Sequence, residues 1–143
     1  MEFDHGAGRV WVNITDHADL MGEVGARLRA QRGFALATLN LDHLVKLRYD
    51  SEFAKAYGAQ DLVTADGNPV VWLSRLAGRE VALLPGADLV EPLAAQAARC
   101  GVAVAFVGGT EDSLARAARA LQDRVPGLRV AARIAPPMGF DPS

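Results

Sequence analysis

Three short polar strings each follow an apolar run and precede a stretch with helical spacing: Thr38-Leu39-Asn40, Asp66-Gly67-Asn68 and Gly108-Gly109-Thr110. Asp66 is the carboxylate among them, and an aspartate in a partly dry cleft can take a proton from a hydroxyl. Thr38 offers a hydroxyl to a sugar or phosphate oxygen, and Asn40 offers an amide. Gly108 and Gly109 would let the backbone approach an anion at a helix N-terminus. Each has a plainer reading. Asp-Gly and Asn-Pro are ordinary turn punctuation, with Gly67 simply part of the turn, and on pattern alone the turn is preferred for Asp66. Thr38 suits a strand as a β-branched residue, and Asn40 suits a helix cap, which is preferred. Gly-Gly-Thr lacks the full Gly-x-Gly-x-x-Gly fingerprint and has no phosphate-binding lysine, so a tight turn with a threonine cap explains it equally well. His43 reads as a surface or packing histidine, Tyr57 and Trp72 as core or groove-wall residues, and Cys100 as a small buried hydrophobe.

The elements needed to carry these strings alternate between strand and helix. Arg9–Ile14 reads as a short strand, followed by a helix capped at Thr15 or Asp16 and closed by Gly33. Phe34–Leu39 is a nearly continuous apolar run, as in a strand covered on both faces. Asn40 caps the next helix, with Leu41, Leu44 and Val45 expected inward, and a helical piece around Phe53 and Tyr57 ends at Gly58. Asp61–Ala65 is a third strand. Asn68-Pro69 predicts a cap with proline at the first helical position, and Gly78 closes that helix. Asp88-x-x-Glu91 predicts a capping box, with Pro92 in the first turn. Val102–Val107 reads as the clearest buried strand. A helix carrying Leu114, Ala117, Ala118 and Leu121 and a strand over Leu128–Ile134 complete a βαβ unit.

This alternation predicts an α/β fold with a parallel sheet, and 143 residues suffice for a single domain. In such a sheet ligands gather beyond the carboxyl ends of the strands, where all three polar strings would fall. Half of the residues are apolar, enough for a core, and the net charge of −2 makes no basic footprint for nucleic acid. One cysteine excludes an internal disulfide and a multi-cysteine zinc site. His5, His17 and His43 have no ligand-pair spacing, so no metal site is expected. Neither a secretory signal nor a membrane-spanning run is present, which points to a soluble protein of a reducing compartment.

The ordered set of motifs adds to this. From Ala37 to Gly109 the chain reads ATLNLDHLVKLRYDSEFAKAYGAQDLVTADGNPVVWLSRLAG and then PGADLVEPLAAQAARCGVAVAFVGG. These strings hold Thr38-x-Asn40-x-x-His43, Asp66-Gly67-x-Pro69 with Trp72 and Arg75, Gly86-x-Asp88-Leu89 and Gly108-Gly109. In order and spacing they resemble the WecG/TagA/CpsF glycosyltransferases, family 26, and Pro126 and Gly139-Phe140 fit as well. The resemblance implies a Rossmann-like, mostly parallel sheet with helices on both faces. It implies an inverting, metal-independent hexosyltransferase without a cofactor. Such an enzyme moves an N-acetylmannosamine-type sugar from a UDP-sugar to a polyprenyl-diphosphate-linked sugar in bacterial surface polysaccharide synthesis. Asp66 matches the family's general base and Thr38 a substrate-contacting threonine. Asn40, Gly67, Gly108 and Gly109 complete the implied substrate-binding set. The implied location is the cytoplasm, at the inner face of the cell membrane.

Two departures stand against that pattern. Leu83 occupies the place where the family often carries an arginine, and family members run on past the point matching Ser143. The expectation is therefore the N-terminal part of such an enzyme, with an incomplete sheet that self-associates as a homo-oligomer. The alternative is a truncated, non-catalytic nucleotide- or partner-binding domain of the same fold.

Overall fold

The two apolar runs that flank Asn40 and Asp66 pair with each other. In the computed structural model, which describes residues 1–4, 6, 8–137 and 139–140, the chain divides into two compact units, Met1–Leu89 and Val90–Ser143. His5 lies outside the described residues.

The first unit opens with an antiparallel hairpin of β1 (Glu2–Asp4) and β2 (Arg9–Trp11). Helix α1 (His17–Arg29) follows, and the Asp16 carboxylate caps it by accepting from the Asp19 N–H at 2.9 Å. The helix stops before Gly33. Gln31 takes the left-handed conformation (φ 53°), so that Arg32 N–H reaches Arg27 O and Gln31 N–H reaches Leu28 O, closing the end two residues early. Strand β3 (Leu36–Leu39), α2 (Leu41–Lys46), α3 (Ser51–Gly58), β4 (Leu62–Ala65) and α4 (Asn68–Leu76) complete this unit up to the start of α5 (Gly86–Arg99).

Strands β3 and β4 are parallel, with Thr38 opposite Thr64 and Leu39 opposite Ala65. Every residue of β4 is buried, as expected for a strand with neighbours on both edges and cover on both faces. Its second edge is met by Ile14 N–H, which donates to Val63 O, and by Leu83, bridged in parallel to Ala65. The core gathers Val10, Val12, Leu39, Leu47, Tyr57, Val63, Ala65 and Val70. Leu44 packs against it, but Leu41 and Val45 are about half exposed, contrary to the inward placement expected of them. Helix α2 has only six residues and turns one narrow stripe inward.

Two helix starts also differ from expectation. Gly67, with φ 99°, holds the cap position of α4 and Asn68 is already helical, because the chain leaving β4 needs a positive φ that glycine adopts freely. Helix α5 begins at Gly86, so Asp88 lies within the first turn and Pro92 inside the helix. Gly78 closes α4 as expected, at φ 68°, with Arg79 N–H donating to Ser74 O.

In the second unit β5 (Val104–Val107), α6 (Glu111–Arg124) and β6 (Val130–Ile134) form the expected parallel βαβ unit around Ala94, Leu121, Val125 and Leu128. Strand β5 alternates between half-buried and exposed, and Val107 is 68 % exposed. The apolar run therefore overstated its burial, since β5 has only β6 beside it among the described residues. Among the described residues, parallel strand pairs and six helices make a mixed α/β fold of partial Rossmann-like form. Among the described residues no helix is long and apolar enough to cross a membrane.

Candidate active site

Parallel register brings two of the three polar strings to one sheet end. Because Leu39 pairs with Ala65, Asn40 and Asp66 leave the sheet side by side, and Asp66 N–H donates to Leu39 O at 2.8 Å. The Asp66 side chain is half-buried. Gly67 then turns the chain into α4.

A third segment is held against the same end. Leu84 N–H donates to Ala65 O at 2.8 Å, and the buried Thr64 hydroxyl donates to Leu84 O at 3.2 Å. These bonds bring Gly86, the first residue of α5, to Asp66, whose Oδ2 accepts from the Gly86 N–H at 3.5 Å. That is a long, weak bond, which leaves the carboxylate capacity to accept from a substrate. Gly86 lies close against Thr38: a Cβ there would stand 3.3 Å from Thr38 Cγ2, a tight contact to which Thr38 would have to yield by a few tenths of an ångström, and 3.7 Å from Thr38 Oγ1. Thr38, Asp66 and Gly86 thus converge.

Asn40 does the work its plainer reading assigned. Its Oδ1 accepts from the His43 N–H at 2.9 Å and caps α2.

Two residues read from the sequence as packing prove to be part of this corner. Leu39 O faces β4, so the preceding carbonyl, that of Thr38, faces the opposite edge of β3, where no strand pairs with it among the described residues. The Tyr57 hydroxyl donates to it. His43 Nδ1 lies 3.0 Å from the same carbonyl and 3.0 Å from Tyr57 Oη. Phe53 packs on both rings, with centroids 5.6 Å from His43 and 5.2 Å from Tyr57. Burial, and then the negative charge of Asp66, push the Tyr57 phenol up to about 12, so it remains a hydrogen-bond donor at neutral pH. His43 had a local signal, standing three residues after a cap and five after Thr38. Tyr57 had none, because its contact with Thr38 spans 19 residues.

Trp72 is 62 % exposed rather than in the core, and Leu83 is 41 % exposed at its bridge to Ala65. Cys100 is half-buried. Gly108 (φ 112°) and Gly109 (φ 68°) stand at the carboxyl end of β5 in the second unit. There Gly108 N–H donates to Ile134 O at 3.0 Å. Thr110 Oγ1 accepts from Ser113 N–H at 3.2 Å, while Thr110 N–H donates to Ser113 Oγ at 3.0 Å, a reciprocal capping box for α6. Among the described residues no three His, Cys, Asp or Glu side chains cluster as a metal site would require.

A search of curated proteins found no match. A family model, that of the glycosyl transferase WecG/TagA/CpsF family, matches residues 7–143, nearly the whole chain and all three polar strings. With that match the chain belongs to the WecG/TagA/CpsF glycosyltransferase family.

Proposed function

We propose that this protein transfers an N-acetylmannosamine-type sugar from a UDP-sugar to a polyprenyl-diphosphate-linked sugar, with Asp66 as general base. The observation that carries the reading is the half-buried Asp66 carboxylate at the carboxyl end of β4, near Thr38 and held, among the described residues, by one long bond from Gly86 N–H. In an open α/β sheet that edge is where ligands bind.

The acceptor hydroxyl approaches Asp66, which takes its proton as the hydroxyl oxygen attacks the anomeric carbon. The bond from that carbon to the UDP oxygen breaks on the opposite face, so UDP leaves and the configuration inverts. A positioned base of this kind contributes roughly 10²–10⁴-fold. Thr38 Oγ1 would hydrogen-bond a sugar or phosphate oxygen, and the Asn40 amide nitrogen, which is not used in the cap, would donate to the same ligand. Gly67 keeps the entrance to α4 free of a side chain. Leu83 brings no cation to this edge, so backbone N–H groups must supply more of the stabilisation of the leaving diphosphate.

Incubation with UDP-N-acetylmannosamine and a polyprenyl-diphosphate-linked sugar tests the reading. Label is expected to pass from the nucleotide to the lipid fraction as UDP is released. UDP binding without transfer would replace the enzyme with a non-catalytic nucleotide-binding domain of the same fold.

A further inference from the structure

We propose that His43 and Tyr57 are positioning residues for this site, acting through the Thr38 carbonyl. The inference rests on the transferase reading above and adds residues that touch neither the reacting atoms nor, by their contacts, the ligand.

The edge of β3 that no strand pairs among the described residues is the starting point. A strand ending on one pairing partner has carbonyls on its other edge that need a donor from elsewhere. At Thr38 that donor is the Tyr57 hydroxyl, with His43 Nδ1 at 3.0 Å from the same oxygen. Thr38 is also the residue whose side chain lies against Gly86, and Gly86 N–H is the group that meets Asp66. The Thr38 backbone is thereby held from the outer edge while its side chain borders the cleft. Asn40 is gripped from the same direction, since its Oδ1 accepts from the N–H of His43 itself. One histidine thus contacts both Thr38 and Asn40, through its ring and its backbone respectively.

The rest of the cluster keeps this arrangement stiff. Phe53 packs against both rings, and Asp50 caps α3 by accepting from Phe53 N–H at 2.9 Å. Bonds to a carbonyl that no strand pairs among the described residues have few alternatives in a half-buried corner, so removing the hydroxyl loosens Thr38 more than it loosens the helix. Small displacements of substrate-contacting groups carry large rate penalties.

A double-mutant cycle with Tyr57→Phe and Thr38→Ala tests the inference, the rings being retained in the phenylalanine variant. Transfer from UDP-N-acetylmannosamine is measured for all four proteins, alongside thermal unfolding. Tyr57→Phe is expected to lower kcat roughly 10- to 100-fold in the natural background. In the Thr38→Ala background it should change kcat less than about twofold, because the carbonyl that Tyr57 bonds remains but the Thr38 hydroxyl it would position is gone. Equal losses in both backgrounds would overturn the inference and leave Tyr57 a packing residue. The same cycle with His43→Ala provides a second reading should one variant fold poorly. If the protein binds UDP without turnover, the cycle is read on UDP affinity and the same criterion applies. A natural protein that neither transfers nor binds UDP defeats the transferase reading itself, an outcome distinct from additivity.

Discussion

Two parallel strand pairs in this chain have the same local plan, strand to polar turn to helix, and different chemistry at the turn. At the end of β3 and β4 the strands are backed by a buried core, and Thr38 and Asp66 converge on the bare backbone of Gly86 while Asn40 caps α2. At the end of β5 the strand is partly exposed, and the turn of Gly108 and Gly109 leads into a helix start that Thr110 and Ser113 close between themselves. The difference lies in what is left over after folding. In the second turn the side-chain groups are spent on each other. In the first, the Thr38 hydroxyl and most of the hydrogen-bonding capacity of Asp66 are not taken up by the sheet. A strand end becomes a site when burial restricts water and the local bonds leave acceptors and donors unspent.

The largest expected effect that would sharpen this contrast is on stability. Leu39→Ala removes a side chain with no exposure from the core beneath the site and should cost about 2–5 kcal/mol in urea unfolding. Val107→Ala, at a position 68 % exposed, should cost within about 0.5 kcal/mol. Similar losses would mean that the two strand ends are equally buried and would break the comparison. Next in size, Thr110→Ala removes the cap of α6 and should lower stability by about 1 kcal/mol while leaving UDP affinity unchanged by calorimetry. A large loss of affinity would bring the second turn into the binding site.

A separate effect concerns pH. The folded protein holds the Tyr57 proton more tightly than the unfolded chain, with the phenol pushed up from 10.0 to about 12. The resulting stabilisation is complete below pH 10 and is lost as pH rises from 10 to about 12. Stability of the natural protein should therefore fall over that range relative to Tyr57→Phe. The phenolate absorbance lost in Tyr57→Phe should have its midpoint near 12. An ordinary midpoint would contradict the burial of Tyr57 in the core and the influence of Asp66 on it.

How much of this was legible in the sequence follows the range of the interactions. Capping is local, so Asn40, Asp16 and the Thr110 start could be read from spacing, as could the strands β3, β4, β5 and β6. The pairing of β1 with β2 was not read, because the charged ends of Glu2–Asp4 hide a strand of three residues. Backbone geometry misplaced two helix starts, since Gly67 and Gly86 win the first positions over Asn68 and Asp88, which resemble better caps. Leu41 and Val45 were expected inward because periodicity marks an apolar stripe without saying how much of it a neighbour covers. Of the candidate site, Asp66, Thr38 and Asn40 stood at turns that strand order predicts to share an edge. The hold of Tyr57 on Thr38 joins residues 19 apart through the packing of α3, which no spacing encodes, whereas His43 in α2 stands only five residues after Thr38.

The central claim is that Asp66 removes the acceptor proton. Its most direct test compares single-turnover transfer from UDP-N-acetylmannosamine by the natural protein and by Asp66→Asn, with UDP affinity measured on both. The amide keeps the shape of the side chain and loses its basicity, so the rate should fall roughly 10²–10⁴-fold while UDP affinity stays within about twofold. Transfer by Asp66→Asn at the natural rate would contradict the account.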